Sequence, residues 1–308
     1  MPPNELTLAY TAIYMAGLFF LLVILPWKTV YQRRLKHGLP LLEQRSLVPA
    51  RLDFIDMIMT LVIYFGVQVV GIVVVAENPD PQDNTNHFLQ LSPFNSAAGL
   101  STLLTFFVAV PVIYFRRGDL RAMRLRFDRV TELVRIGFYA SLLILPVTLV
   151  INIVVSIVVT PYGHPVIDTL LAETSVSTIV YTAITVVIAA PLVEEFVFRG
   201  VILTYLHRVF SGQWDSNTAV YCSNTANAHG DGENSDLFQL HGANILTSLL
   251  FAALHIGQGA AYIPLFFLSF ALGYVCNKTG SILPCVIIHM VLNGISTVSL
   301  YFMILYQS

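Results

Sequence analysis

Residues 140–159 read ASLLILPVTLVINIVVSIVV and contain no charged side chain. A helix of that length rises about 30 Å, which matches the hydrocarbon core of a bilayer. The composition of the chain agrees, since 56% of its 308 residues are hydrophobic and only 11% are charged. Ordinary soluble domains contain about 25% charged residues, and a soluble protein with so few could not cover its surface. The sequence therefore predicts an integral membrane protein.

Apolar stretches long enough to cross a bilayer recur along the whole chain. They predict an all-α polytopic membrane protein of about eight transmembrane helices. We expect one integral membrane domain over 1–308, with N-terminal helices in 1–174 and a motif-bearing core in 175–300. No basic segment precedes the first apolar run, so we expect that run to stay as a helix and not to be a cleaved signal peptide. The predicted spans are 6–27, 55–76, 97–115, 133–159, 175–207, 242–257, 259–277 and 282–306.

The basic residues predict the orientation of the chain in the membrane. Most of the Lys and Arg residues fall in the first and third connections, which the positive-inside rule assigns to the cytoplasm. The stretch 77–98 carries acidic residues and no basic one, as expected for the opposite side. Alternation then assigns 208–241 to the cytoplasm, although 211–241 is acidic and has no Lys or Arg. The expected localisation is a multi-pass protein of the cell inner membrane.

Charge and cysteine content exclude two other classes of protein. The formal net charge is −2 and the pI is near 6.4, so no basic face remains for a nucleic-acid partner. The expected surroundings are instead the lipid bilayer. The three cysteines, Cys222, Cys276 and Cys285, are few, and two lie in or beside apolar runs, where a thiol usually packs as a small hydrophobe. We therefore predict no disulfide framework.

Two adjacent glutamates interrupt the fifth predicted span. Ionisable side chains inside a span cost a few kcal/mol each and are functional candidates for that reason. Glu195 and Arg199 are four residues apart with the acid first, the favoured order for an ion pair on a helix. Glu194 is turned from Glu195 by about 100° and has no such local partner. It is the better candidate for a general base, the alternative being a polar patch at the membrane edge.

Three further polar residues lie in the sixth and eighth predicted spans. His255 ends an apolar helix, and His289 and Asn293 share one helix face at four-residue spacing. Each alone is more often a core residue or a helix-packing contact than a catalyst. Together with the two glutamates they make five polar residues on three apolar helices, an arrangement that is improbable by chance. A carboxylate and an imidazole can polarise a water, and a second imidazole with an amide can donate to a developing oxyanion. These are the groups that amide hydrolysis requires.

The order of these motifs on apolar helices resembles the CAAX-protease and bacteriocin-processing family, also called the Abi family. The resemblance covers about residues 175–300. It implies a helical intramembrane glutamic endopeptidase that acts on a membrane-associated peptide or protein, either of CAAX type or as a peptide-processing enzyme. The patterns that carry it are Glu194-Glu195-x-x-x-Arg199, Phe251-x-x-x-His255 and His289-x-x-x-Asn293.

The resemblance also implies a role for each motif residue. Glu194 and His255 would activate the water, and His289 and Asn293 would form the oxyanion hole. The ion pair on the glutamate helix would hold that helix in place. No cofactor is implied.

Two other functions use the same residues. Glu and two His could ligate zinc in a metalloprotease, but the sequence has no two-histidine helix motif of the zincin type, and Asn is a poor zinc ligand. A transporter or a non-catalytic immunity protein could use intramembrane His and Glu in a proton relay or as structural groups. The lack of an internal repeat weakens the transporter interpretation and leaves the non-catalytic one open.

Overall fold

The computed structural model describes the chain in several stretches, and within them the regular elements are helices apart from one pair of two-residue strands. These strands, β1 (Pro49–Ala50) and β2 (Val220–Tyr221), pair antiparallel. The predicted all-α fold class is confirmed. The described residues are 21, 24–43, 49–77, 93–159, 180, 183–210, 220–221 and 235–307.

Long helices coincide with every predicted span after the first. The first predicted span, 6–27, lies outside the described residues except for 21 and 24–27, and 24–33 are helical. Short 3₁₀ turns cover Leu35–His37, Leu120–Met123 and Ile256–Ala261. The long helices are α1 (Phe54–Glu77), α2 (Pro93–Arg117), α3 (Val130–Val158), α4 (184–210), α5 (Ser235–Ala253), α6 (Tyr262–Thr279) and α7 (Leu283–Gln307).

The outer surface of the bundle is apolar, as a lipid environment requires. Val62, Phe107 and Tyr139 are each more than 60% exposed, and contiguous apolar surface of this kind is stable against lipid and not against water. By length and composition alone, three helical stretches of the described part qualify as membrane spans, and Leu283–Ser299 is a shorter apolar helix. The three are Phe54–Gly71, Val130–Val155 and Gly259–Thr279. The protein is therefore an integral membrane protein.

α1 begins at a reciprocal cap that also binds the basic end of α2. The backbone N–H of Asp56 donates to Asp53 Oδ1 and that of Asp53 donates to Asp56 Oδ2, each at 3.0 Å, which satisfies two helix-end donors. Asp56 is fully buried and accepts from Arg116 Nε at 2.9 Å and Arg117 Nε at 2.7 Å. Burial raises the pKa of Asp53, but the Asp56 N–H and Arg117 hold it below its ordinary value. The two arginine-rich connections thus meet at one end of the bundle.

The connection between α4 and α5 reaches that same end. β1, in the first connection, pairs with β2, with Pro49 opposite Tyr221 and Ala50 opposite Val220. The guanidinium of Arg208, at the end of α4, donates to the Leu52 carbonyl. The acidic segment 211–241 therefore contains residues that lie on the same side as the first basic connection. The strict alternation of spans predicts the same arrangement, because it assigns 208–241 and the first connection to one side of the membrane.

α4 is the central helix of the bundle and places the glutamates in its core. It combines two α-helical segments, Ala190–Glu195 and Leu203–Phe210, with two π-helical segments, Ile184–Ala189 and Phe196–Ile202. It packs against α1, α2, α5 and α7. π-helical turns close through hydrogen bonds between residues five apart and are frequent at functional sites. The side chains from Val193 to Leu203 are almost all buried.

Candidate active site

Glu195 and Arg199 form the ion pair that their spacing predicts. Arg199 Nη1 lies 3.1 Å from Glu195 Oε1, and both side chains are fully buried. The other end of the guanidinium donates to Ser269 Oγ at 2.8 Å and to the Ser269 carbonyl at 3.2 Å. Its central carbon lies 4.8 Å from the centre of the Phe251 ring. The pair therefore ties α4 to α5 and α6.

His289 of α7 lies between the two glutamates. Its Nδ1 is 2.9 Å from Glu195 Oε1, and its Nε2 is 3.9 Å from Glu194 Oε2. An ionised carboxylate only accepts hydrogen bonds, so the bond to Glu195 requires a proton on Nδ1. The spacing motif did not reveal this contact, which makes Glu195 a partner of His289 as well as of Arg199. Nε2 is consequently aimed at Glu194.

Glu194 differs from its neighbour in exposure. Its side chain is 22% exposed, whereas that of Glu195 is inaccessible. In the described part of the chain no Lys or Arg forms an ion pair with Glu194. A carboxylate that is partly open and not neutralised by a cation can accept a proton from a water molecule. The structure thus separates the two carboxylates as the helix geometry predicts.

His255 follows the end of α5 and lies at the turn into α6. Its Nδ1 is 2.8 Å from the Phe251 carbonyl, so the carbonyl accepts the Nδ1 proton and Nε2 keeps its lone pair. The imidazole packs on the Phe251 ring at 4.8 Å between centres, and the same ring is 6.0 Å from His289. His255 and Glu194 form no direct ion pair or hydrogen bond. A water molecule would have to bridge them for the two to act together.

Asn293 connects α7 to the first π-helical segment of α4. Its Nδ2 donates to the Val186 carbonyl at 2.8 Å. One N–H of the amide is engaged in this bond, which fixes the amide plane and leaves the second N–H as a donor. Asn293 lies one helical turn from His289 on the same face, as predicted.

Three neighbours of these groups were missed by sequence reasoning. Ser269 holds the Arg199 guanidinium, Phe251 is the ring that touches Arg199 and both histidines, and the Val186 carbonyl receives Asn293. Phe251 was part of a quoted motif, but nothing in the spacing indicates its central position. A serine and a backbone carbonyl carry no signal in an apolar helix.

Metal ligation was the nearest alternative to a metal-free site. Among the residues that the structure describes, no three His, Cys, Asp or Glu side chains cluster as ligands would. His289 Nδ1 and His255 Nδ1 are both engaged in hydrogen bonds to the protein. Cys276 and Cys285 are buried free thiols on α6 and α7. A hydrogen-bonded Nδ1 is also usual in a metal-binding histidine, so chelation is the experiment that tests the zinc alternative.

The fold and the site define a class: a helical membrane protein with a buried cluster of two glutamates, two histidines, an arginine and an asparagine. Residues 176–295 match the model of the family described as type II CAAX prenyl endopeptidase Rce1-like. This segment, which contains every motif residue, belongs to that family. The resemblance of this segment to CAAX proteases is thereby confirmed, and the family that it matches is one of CAAX prenyl endopeptidases. No curated protein and no solved structure was found to match the chain.

Proposed function

We propose that the protein hydrolyses a peptide bond of a membrane-associated peptide or protein by means of a water molecule activated by Glu194 and His255. The observation that supports this most directly is the asymmetry of the two glutamates. Glu195 is buried and its Oε1 binds both Arg199 and His289, whereas Glu194 is partly exposed and lies 3.9 Å from the imidazole Nε2. One carboxylate is structural and the other is available for proton transfer.

The proposed reaction begins with transfer of a proton from water to the Glu194 carboxylate. His255 accepts a hydrogen bond from the same water through Nε2 and orients it. The hydroxide attacks the carbonyl carbon of the scissile bond, and its electron pair forms the new C–O bond. Glu194 then returns the proton to the leaving nitrogen as the C–N bond breaks. The products are a carboxylic acid and an amine, so no co-reactant is consumed.

His289 and Asn293 are proposed to stabilise the oxyanion of the tetrahedral intermediate. Because Nδ1 already donates to Glu195, donation through Nε2 requires an imidazole that carries both protons. The free N–H of Asn293 provides the second donor. Preorganised donors of this kind are among the largest contributions to amide hydrolysis.

The proposed substrate class is a membrane-associated peptide, either a prenylated CAAX-type C-terminus or a peptide processed at the membrane. The proposed location is the cell inner membrane, with the arginine-rich end of the bundle in the cytoplasm. The family match of residues 176–295 supports the proposed substrate class, and the charge distribution supports the proposed orientation.

The test is a cleavage assay with purified protein in liposomes. A prenylated CAAX peptide and its unprenylated counterpart are incubated with wild type and with Glu194→Gln, and products are identified by mass spectrometry. We expect release of a C-terminal fragment by wild type only. If neither wild type nor variant cleaves any membrane-associated peptide, the chain is a non-catalytic member and the proposed function is wrong.

A further inference from the structure

Arg135 is a charged residue on the outer face of α3, inside a stretch that qualifies as a membrane span. The span covers Val130–Val155, and Arg135 follows its first residue by five positions, or about 8 Å of helix. The side chain of Arg135 is exposed. Ionisable side chains inside a span normally face the interior of the protein, so an exposed one indicates a partner outside the helix bundle.

The packing of α3 fixes Arg135 on this outer face. The buried residues of the same part of the helix recur at four-residue intervals and are Leu133, Gly137, Ser141 and Leu145. Gly137 lies so close to α7 that a side-chain carbon at its position would come within 2.8 Å of Ile287 Cβ. Arg135 is two residues from Gly137, a rotation of about 200°, and therefore points away from α7.

Arg135 belongs to a stripe of exposed residues that is polar at one end and apolar at the other. Phe138, Tyr139 and Leu142 are 56%, 69% and 47% exposed, and their spacing from Arg135 places them on its face of the helix. Thr131, one turn before Arg135, is also exposed and adds a hydroxyl near the start of the span. The stripe thus has the same order of polarity as the headgroup and acyl chains of a phospholipid.

Arg135 is not neutralised by a carboxylate in the part of the chain that the structure describes. Glu132, the acid on the preceding turn of α3, lies 3.9 Å from Arg129. Arg135 itself forms no ion pair or hydrogen bond with a described residue. By contrast, Arg116 at the same end of the bundle binds Asp56 at 2.9 Å. The guanidinium of Arg135 is therefore able to bind an anion from outside the protein.

The direction of α3 brings this guanidinium to the headgroup layer. Side chains on a helix lean toward its N-terminus, and α3 begins at the arginine-rich end of the bundle. The long stem of an arginine lies along apolar surface while its charged group reaches the polar layer. The first basic connection starts beside the same helix, because Trp27 Nε1 donates to the Leu143 carbonyl at 3.2 Å and is followed by the exposed Lys28. Basic residues at a membrane surface attract anionic lipids.

We propose that Arg135 binds the headgroup phosphate of an anionic phospholipid in the leaflet at the arginine-rich end of the bundle. Two parallel N–H donors of a guanidinium match a phosphate, and the Thr131 hydroxyl donates to the same headgroup. The acyl chains lie along Phe138, Tyr139 and Leu142. A zwitterionic lipid binds less well, because its own cation competes with the guanidinium for the phosphate. The site lies outside residues 176–295 and does not depend on the proposed proteolysis.

The test is native mass spectrometry of the full chain, purified in a neutral detergent, with added phosphatidylglycerol or phosphatidylcholine. We expect the wild type to retain phosphatidylglycerol in preference to phosphatidylcholine. Arg135→Gln should raise the dissociation constant for phosphatidylglycerol about ten- to a hundredfold, as the loss of a hydrogen bond between charged groups implies. Arg135→Lys keeps the charge and loses the paired donors, so its dissociation constant should lie between the two.

The matched control is Arg121→Gln, which removes the same charge from an exposed residue of the 3₁₀ turn Leu120–Met123. This variant should bind phosphatidylglycerol as the wild type does. An equal loss of binding in Arg121→Gln and Arg135→Gln would mean that the net charge attracts the lipid, and would overturn the inference. Equal retention of phosphatidylglycerol by the wild type and Arg135→Gln would also overturn it, as would equal retention of the two lipids by the wild type.

Thermal unfolding measures the same binding independently and shows that the variants are folded. A ligand that binds only the folded state stabilises it, so phosphatidylglycerol should raise the unfolding temperature of the wild type and of Arg121→Gln more than that of Arg135→Gln. In detergent alone Arg135→Gln should unfold at the wild-type temperature, because Arg135 binds no described residue. Displacement of the lipid by inorganic phosphate would show a site for free phosphate and would overturn the assignment to a phospholipid.

Discussion

Glu194 and Glu195 are adjacent on α4 but lie in different environments, one partly exposed and the other fully buried. On one side, here called the sealed side, Glu195 is fully buried and binds Arg199 and His289. Ser269 and Phe251 contact the guanidinium of Arg199 there. On the other side, the open side, Glu194 is partly exposed and its Oε2 lies 3.9 Å from His289 Nε2. In the proposed mechanism the sealed side stabilises the fold and the open side transfers the proton. A rotation of about 100° along the helix separates the two.

The largest expected effect is on the open side. Glu194→Gln keeps the volume of the side chain and removes the base, so we expect the cleavage rate to fall about 10²–10⁴-fold. The yield and the unfolding temperature of this variant should equal those of the wild type. Initial rates on the liposome substrate measure this. His255→Ala should lose cleavage in the same way. Wild-type cleavage by Glu194→Gln, with loss in a stable Glu195→Gln protein, would exchange the roles of the two carboxylates.

The next effect concerns the donors between the two sides. His289→Ala and Asn293→Ala should each lower kcat on the order of 10²–10³-fold, the usual result of losing one oxyanion donor. A matched control is His207→Ala, which removes another buried histidine whose Nε2 lies 2.9 Å from Asn277 Oδ1. That variant should change stability and leave kcat of the folded protein unchanged. Equal losses of kcat in all three would mean that the effect is structural.

On the sealed side the expected effect is on stability. Glu195→Gln leaves the Arg199 charge buried without its anionic partner, and breaking a buried pair of this kind costs about 3–5 kcal/mol. Denaturant unfolding in detergent micelles, compared with Glu194→Gln as the matched control, measures the difference. Because Glu195 also binds His289, we expect lower kcat in the folded fraction as well. Equal stability of the two variants would contradict the division of α4 into a sealed and an open side.

The smallest expected effect is that of metal removal. We predict that excess EDTA or 1,10-phenanthroline leaves the cleavage rate unchanged and that elemental analysis finds no stoichiometric metal. In the zinc alternative, chelation removes activity and zinc restores it, because a catalytic ion is what lowers the pKa of its bound water to about 7. One equivalent of copurifying metal with that behaviour would make Glu194 and the histidines ligands.

Much of this fold could be predicted from the sequence because a bilayer imposes few and strong rules. Apolar length gave the position of α1 to α7, and the placement of arginines gave the orientation that the β1–β2 pairing supports. The four-residue spacing of Glu195 and Arg199 gave their ion pair, since helix geometry alone decides that contact. The distinction between Glu194 and Glu195 was predictable for the same reason. These are properties of single helices.

The contacts between helices required the tertiary structure. The bond from His289 to Glu195 joins residues that are 94 positions apart, and that from Asn293 to Val186 joins residues 107 apart. Which faces of two helices meet depends on their crossing angle and depth, and a hydrophobic pattern does not encode either.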